Sequence, residues 1–380
     1  MGKQLASVAK ELKNKKKKVQ LVYAFNGVGK TRLSCAFKQL FRQGSTAKEI
    51  EEEHKEILYY NAFTEDLFYW DNDLENDLEM KMKIQSNSFT DWIYKDEGKD
   101  KDIQELFSRY TNSKAEANYD PYFTEVSFLI PGTEGCIKIS KSEESCFIWC
   151  VFFSLLSAIV SDMNDAKKNN TVSQFKDLKY VFIDDPVTSL DDNHLIELAV
   201  NLSHLIKEAP DDINFIITTH NTLFYNVLHN QIRSLCKKED VFFCFLRKND
   251  DNSYDLMSYK QETPFLYHIY LLSEIKQAID SDKLKKYHLM FMRNILEKIS
   301  VFTGNESWSF PFKEKQRQFL RQVINSSSHS NSNGEEVSNM IPSDKKRLKD
   351  IYDSLVKTFH FNVPGPFNGG KLPQSKTKNK

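Results

Sequence analysis

Two separate sets of residues in this sequence could do chemistry. The first is Lys30 and Thr31 behind a glycine-rich turn, the adjacent carboxylates Asp184 and Asp185, and His220. A turn that exposes backbone N–H groups, followed by a lysine, suits phosphate. A threonine hydroxyl and a carboxylate suit Mg²⁺, and a second carboxylate can act on an attacking water as a general base. Together these are the parts needed to hydrolyse a nucleoside triphosphate. The second set is Arg293, Glu297 and His329. No metal cluster accompanies it, and the three types suit metal-free cleavage of RNA. The 2′-hydroxyl attacks its own phosphate, His329 moves a proton and Arg293 stabilises the charged phosphorane. Glu297 would orient Arg293 or the histidine, or carry the second proton. Arg293 and Glu297 lie four apart and could equally be a surface salt bridge on a helix.

These residues need elements to position them. Val22 to Thr31 reads as a strand, a glycine turn and a helix start. Asn26, Gly27, Gly29, Lys30 and Thr31 would hold the nucleotide, with Ala24 where the motif usually has its first glycine. Lys179 to Pro186 reads as a buried strand delivering Asp184 to Mg²⁺ and Asp185 to water. Asn214 to His220 is another strand. Alone, His220 would be a structural strand-end residue; in this order it reads as a switch that contacts the γ-phosphate. Val187 to Asp191 looks like the D-loop of ATP-binding-cassette (ABC) ATPases. Asn61, after the strand Ile57 to Tyr60, stands where that class has a glutamine. Ile139 to Glu144 resembles the class signature with its glycines lost. Ser140 would cap the following helix and face the γ-phosphate of a nucleotide held by a second subunit. A plain helix N-cap is the competing reading.

The 380 residues suit two or three domains, and 40% hydrophobic with 28% charged residues suits a packed, soluble chain. The apolar run Phe147 to Val160 is too short for a membrane span and reads as a buried helix. Nothing at the N-terminus reads as a secretory signal. Six cysteines without CxxC spacing point to a reduced cytoplasm and no structural zinc. The expectation is therefore a cytoplasmic protein with no membrane partner. The net charge of −1 conceals an asymmetry: Phe265 to Lys380 holds 19 lysines and arginines against 11 acidic residues, the remainder 33 against 42. A basic C-terminal third suggests a polyanionic partner there. That third reads as helical over Phe265 to Ile279, Lys283 to Val301, Lys313 to Ile324 and Lys345 to Phe359. Asn325 to Gly334, which contains His329, reads as a polar loop.

The segments Val19 to Phe37, Leu58 to Asp73 and Asp184 to Asp191 resemble those of PrrC-type anticodon nucleases, and the resemblance spans nearly the whole chain. It implies an α/β ABC-type P-loop NTPase domain over residues 1–262. An all-α, HEPN-like nuclease domain over 263–370 and a disordered basic tail over 371–380 would follow. Arg293, Glu297 and His329 match the family's Arg-x3-Glu pair and downstream histidine, with Arg321 and Asn325 as further candidates. The implied substrate is tRNA, lysine tRNA above all, cut in the anticodon loop to a 2′,3′-cyclic phosphate and a 5′-hydroxyl. GTP or ATP with Mg²⁺ would occupy the NTPase site, dTTP would be an additional effector, and no metal would serve the RNA step. The implied setting is antiphage defence, as a homodimer or higher homo-oligomer held silent by a type I DNA restriction-modification complex. Two other classes stand beside this one. A DNA-associated repair or defence ATPase whose C-terminal helices dock a partner is disfavoured, in its repair form, by the absence of heptad arms between Glu65 and Ile139. An ABC transporter subunit is disfavoured by the lost signature glycines.

Overall fold

A computed structural model describes residues 2–41, 56–61, 68–72, 80–84, 91–111, 113–186, 192–249, 251–258, 267–314, 316–320, 340–361 and 363. The chain divides into two compact units, Met1–Ser258 and Tyr259–Lys380.

The first unit is built on a six-stranded sheet. Its strands are β1 (Val19–Tyr23), β2 (Ile57–Asn61), β7 (Tyr180–Asp184), β8 (Asn214–Thr219), β9 (Val241–Lys248) and β10 (Tyr254–Ser258), in the order β10-β9-β1-β8-β7-β2. All pairings are parallel except the β9–β10 hairpin. Every residue of β1 and β7 is buried, as continuous apolar strands of a parallel sheet covered on both faces must be. Gln20 is the polar exception in β1, and its Nε2 donates to the Leu12 carbonyl at 2.9 Å. Helices α1 (Leu5–Lys15) and α2 (Lys30–Gln39) pack together on one face through Val8, Leu12, Leu33 and Phe37.

The interval that sequence patterning left without structure forms a second sheet. Strands β3 (Phe68–Asn72), β4 (Met80–Ile84), β5 (Glu116–Tyr119) and β6 (Glu125–Leu129) run antiparallel in the order β3-β4-β6-β5. A π-helical turn (Trp92–Asp96) and α3 (Asp100–Thr111) fall between β4 and β5. Beyond β6 runs α4 (Lys141–Asn169), with Phe147, Trp149, Phe152, Leu155, Leu156 and Ile159 buried. It is long and apolar enough to cross a membrane, yet 72% of its most apolar window is buried within the unit. Its surroundings are protein: it packs on α3, and on α5 (Asp192–Glu208). Helix α6 (Thr222–Leu235) packs against α5 and begins at Asn221, whose side chain accepts from the Phe224 N–H.

In the second unit α7 (Tyr267–Asp280) packs on α8 (Tyr287–Thr303), and α9 (Pro342–Phe359) touches α7. Of the apolar stripe expected on α8, Leu289, Met292 and Leu296 are buried and Ile299 is only half-buried, while Ile295 joins the buried side. Gly304, at φ 67°, ends α8 in the left-handed conformation. Helix α9 starts earlier than the Lys345 that apolar spacing suggested because Pro342 occupies its first turn, where a missing N–H costs nothing. Residues 187–191, Arg321, residues 325–334 with His329, and residues 371–380 lie outside the described residues.

Candidate functional site

The sheet order decides the first site. β8 lies between β1 and β7, and register aligns their C-terminal ends: Tyr23 faces Thr219, Thr218 faces Asp184, and Asp184 faces Asn61 of β2. Residues just past those ends therefore converge in the crevice where open α/β sheets bind ligands. After β1 the chain turns through Gly27 (φ 77°) and Gly29 (φ 113°) into α2. These are left-handed positions that favour glycine. A side chain at Gly29 would also meet the Tyr254 hydroxyl at 3.4 Å. Ala24 needs no such freedom, because its N–H continues the β1–β8 ladder by donating to the Thr219 carbonyl at 3.0 Å. That explains why the first glycine of the motif is dispensable here.

Lys30, the first residue of α2, is buried and leans back over the turn. Its Nζ lies 3.4 Å from the Ala24 and Phe25 carbonyls, 3.2 Å from Asn26 Oδ1 and 3.4 Å from Asp185 Oδ2. Asp185 is in turn held by His220, whose Nδ1 stands 2.6 Å from Oδ2 and whose N–H donates to Oδ1 at 3.3 Å. The Thr219 hydroxyl donates to Oδ1 at 3.2 Å. Asp185 has φ 52°, a conformation that costs a non-glycine residue roughly 1–3 kcal/mol and collects at functional sites. Burial acts to raise its pKa, but the His220 hydrogen bond and the Lys30 charge outweigh it and hold the carboxyl below the ordinary range. An ionised carboxylate beside a strand-end histidine can orient and deprotonate a water.

Asp184 occupies a different environment one residue away. Thr218 donates to its Oδ1 at 2.5 Å, while Asn61 and Ser34 donate to Oδ2 at 3.0 and 3.3 Å. Burial pushes its pKa up despite hydrogen bonds from Thr218 and Thr31. Tyr59 closes this cluster through Ser34 Oγ at 2.9 Å and Asn61 Nδ2 at 3.1 Å, and burial pushes its phenol up to about 12. A buried carboxylate short of positive charge, beside the hydroxyl of Thr31, offers hard oxygen donors that fit Mg²⁺. The turn and the start of α2, with no acid in its first turn, fit phosphate. Ser34, Tyr59 and Thr218 were not singled out from sequence. Their only signal is adjacency to motifs, and strand register is what brings them together.

Ser140 is exposed and caps α4. Its hydroxyl accepts from the Glu143 N–H at 3.2 Å, and Glu143 Oε2 accepts from the Ser140 N–H at 2.8 Å. This is a complete capping box. In the second unit Arg293 Nε donates to Glu297 Oε1 at 2.6 Å across one turn of α8, with Arg293 half-buried at the edge of the buried stripe and Glu297 exposed beyond it. His268 of α7 hydrogen-bonds Asn294, next to Arg293, and burial keeps its imidazole below the ordinary pKa. His329, expected to complete the set, is outside the described residues.

Residues 138–356 match the family model described as AAA domain. An anticodon nuclease of Escherichia coli is 43% identical over 400 residues, covering 95% of this chain and 98% of that protein. This chain belongs to the anticodon nuclease family. It is a nuclease with an AAA-type ATPase domain, and the α/β P-loop architecture of its first unit is that of such a domain. Two solved structures are also similar. An SMC head bound to the C-terminal winged-helix domain of ScpA aligns at a TM-score of 0.33 and 13% identity, over 65% of this chain and 91% of that one. The SMC head domain of Thermotoga maritima aligns at 0.28 and 13%, over 64% and 90%. Within this anticodon nuclease, the P-loop cluster and the Arg293–Glu297 pair belong to different compact units.

Proposed function

We propose that this anticodon nuclease is a nucleotide-gated, metal-independent endonuclease that cuts tRNA in the anticodon loop, with lysine tRNA its preferred substrate and antiphage defence its role. The observation that carries the reading is the 43% identity along 95% of the chain to a protein named anticodon nuclease. The Arg293–Glu297 pair on α8 supports it. In this reading residues 1–262 form an ABC-type NTPase domain and residues 263–370 a HEPN-like nuclease domain, with a basic tail beyond.

At the NTPase site Asn26, Gly27, Gly29 and Lys30 would hold GTP or ATP, and Thr31 and Asp184 its Mg²⁺. When bound, the cation neutralises charge on the phosphates. Asp185 stays ionised and orients water, and His220 fixes the carboxylate while presenting its ring to the γ-phosphate. Ser140, exposed at the start of α4, would complete the nucleotide site of a second copy, so the working form is a homodimer or larger. In the nuclease domain Arg293 holds the scissile phosphate and Glu297 orients its guanidinium. His329 moves the proton as the 2′-hydroxyl attacks, leaving a 2′,3′-cyclic phosphate and a 5′-hydroxyl. dTTP would act as an effector and a type I restriction-modification complex as the silencing partner.

Purified protein is incubated with total tRNA, Mg²⁺ and GTP or ATP, and the cut position and end groups are mapped. Cuts at one anticodon position with cyclic-phosphate ends are expected. His329→Ala and Arg293→Ala should abolish them and leave nucleotide hydrolysis intact, whereas Lys30→Ala should prevent nucleotide binding and activation. Normal tRNA cleavage by His329→Ala overturns the nuclease site. Intact tRNA together with DNA-stimulated hydrolysis replaces the whole reading with a DNA-associated ATPase.

A further inference from the structure

The hydrogen bonds around Asp184 close on themselves. Tyr59 and Asn61 are two apart on β2 and so share a face of the sheet. Register sets Asn61 against Asp184 and Tyr59 against Phe182 of β7. Ser34 of α2 is fully buried and reaches both Tyr59 and Asp184. The protons can be counted. Asn61 Nδ2 gives one to Asp184 Oδ2 at 3.0 Å and one to the Tyr59 hydroxyl at 3.1 Å. The Tyr59 hydroxyl has one proton of its own, and among the described residues its acceptor is Ser34 Oγ at 2.9 Å. Ser34 then has one proton and two acceptors, Asp184 Oδ2 at 3.3 Å and the Thr31 carbonyl at 2.8 Å.

With Ser34 turned to it, Asp184 Oδ2 has a donor on each lone pair, and it must shed one before it can meet a cation. Ser34 is the donor able to leave. It is the more distant of the two, and the Thr31 carbonyl offers its proton a shorter bond. Asn61 is held in place, because the other proton of the same amide is anchored on Tyr59. Tyr59 is itself braced. Its ring is tilted against Phe182 at 6.1 Å, and Lys38 Nζ stands 4.9 Å from the ring centroid. Phenylalanine would keep that packing. The hydroxyl alone links Asn61 to Ser34.

We infer that Tyr59 is a positioning residue for the Mg²⁺ that accompanies the nucleotide. Its hydroxyl fixes Asn61 on Asp184 and keeps Ser34 supplied with a donor while the Ser34 proton turns to the Thr31 carbonyl. Asp184 is thereby held in one orientation with Oδ2 open. Groups that orient a metal ligand in this way matter nearly as much as the ligand itself. The inference rests on the reading that Asp184 and Thr31 hold the cation, and Tyr59 acts through Asn61 and Ser34.

The test measures the Kd of a fluorescent, non-hydrolysable ATP analogue for the full-length protein, once in EDTA and once in Mg²⁺. Tyr59→Phe should bind the metal-free analogue as the wild type does and the Mg²⁺ form about tenfold more weakly, the low end for loss of a group that orients a metal ligand. The Mg²⁺ concentration at half-maximal hydrolysis should rise by a similar factor, with kcat at saturating Mg²⁺ hardly changed. Because Tyr59 acts through Asn61, adding Tyr59→Phe to Asn61→Ala should weaken Mg²⁺-dependent binding little further. Tyr59→Phe removes one oxygen from a half-buried ring, so the fold should survive. Equal weakening with and without Mg²⁺ would make the circuit a support for the phosphate turn and overturn the inference. Unchanged binding in both conditions overturns it as well. Undiminished Mg²⁺-dependent tightening in Asp184→Asn removes the reading on which the inference rests.

Discussion

Asp185→Asn isolates the charge at the centre of the nucleotide site. Asparagine keeps an oxygen for the His220 and Thr219 donors but removes the negative charge 3.4 Å from Lys30. At that separation and an effective dielectric near 20, the gross attraction is about 5 kcal/mol. Orphaning a buried charge outright costs about 3–5 kcal/mol. Lys30 is not orphaned, because Ala24 O, Phe25 O and Asn26 Oδ1 remain within 3.4 Å. We therefore expect a loss of about 2–3 kcal/mol, or a Tm lower by roughly 5–10 °C for a unit of this size. Losing a general base should slow nucleotide hydrolysis by about 10²- to 10⁴-fold. Lys30, released from its fixed anion, should favour phosphate more, so Mg²⁺–ATP should raise the variant's Tm by more than it raises the wild type's. Calorimetry with and without nucleotide and a phosphate-release assay measure all three quantities. Hydrolysis above about a tenth of the wild-type rate would refute Asp185 as the base. An equal or smaller nucleotide-induced shift would refute the competition between Asp185 and phosphate for Lys30.

Ser140→Ala should cost about 1 kcal/mol through the lost helix cap, and Ser140→Asp should restore that stability because aspartate caps equally well. If Ser140→Asp also restores hydrolysis, the residue is only a cap; stability without hydrolysis supports contact with a partner's nucleotide. Acid should weaken the first unit through His229, whose ring is buried against Phe243 at 4.2 Å and held below its ordinary pKa by that burial. The unfolded chain then takes up the proton first, so stability falls as pH drops below about 6.5, by at most about 1.4 kcal/mol per unit. His229→Phe should flatten the dependence of Tm on pH between 7.5 and 5.5, and an unchanged slope would exclude the histidine as its source.

Short-range chemistry was legible in the sequence. The Gly27–Gly29 turn before Lys30, the acids ending an apolar strand, the Ser140–Glu143 capping box and the buried stripe of α8 each depend on residues within a few positions of one another. Backbone dihedral preference, helix capping and helical periodicity act at that range. His329 remains a reading of sequence, since its segment lies outside the described residues. Tertiary structure alone decided that β8 sits between β1 and β7, which puts His220 on Asp185 and Asp185 on Lys30. It also decided that Asn61 reaches Asp184 across the β2–β7 register, and that the aromatic interval before α4 folds into an antiparallel sheet. Strand order and register are set by burial among segments far apart in the chain. No local pattern encodes which strand ends will share a crevice.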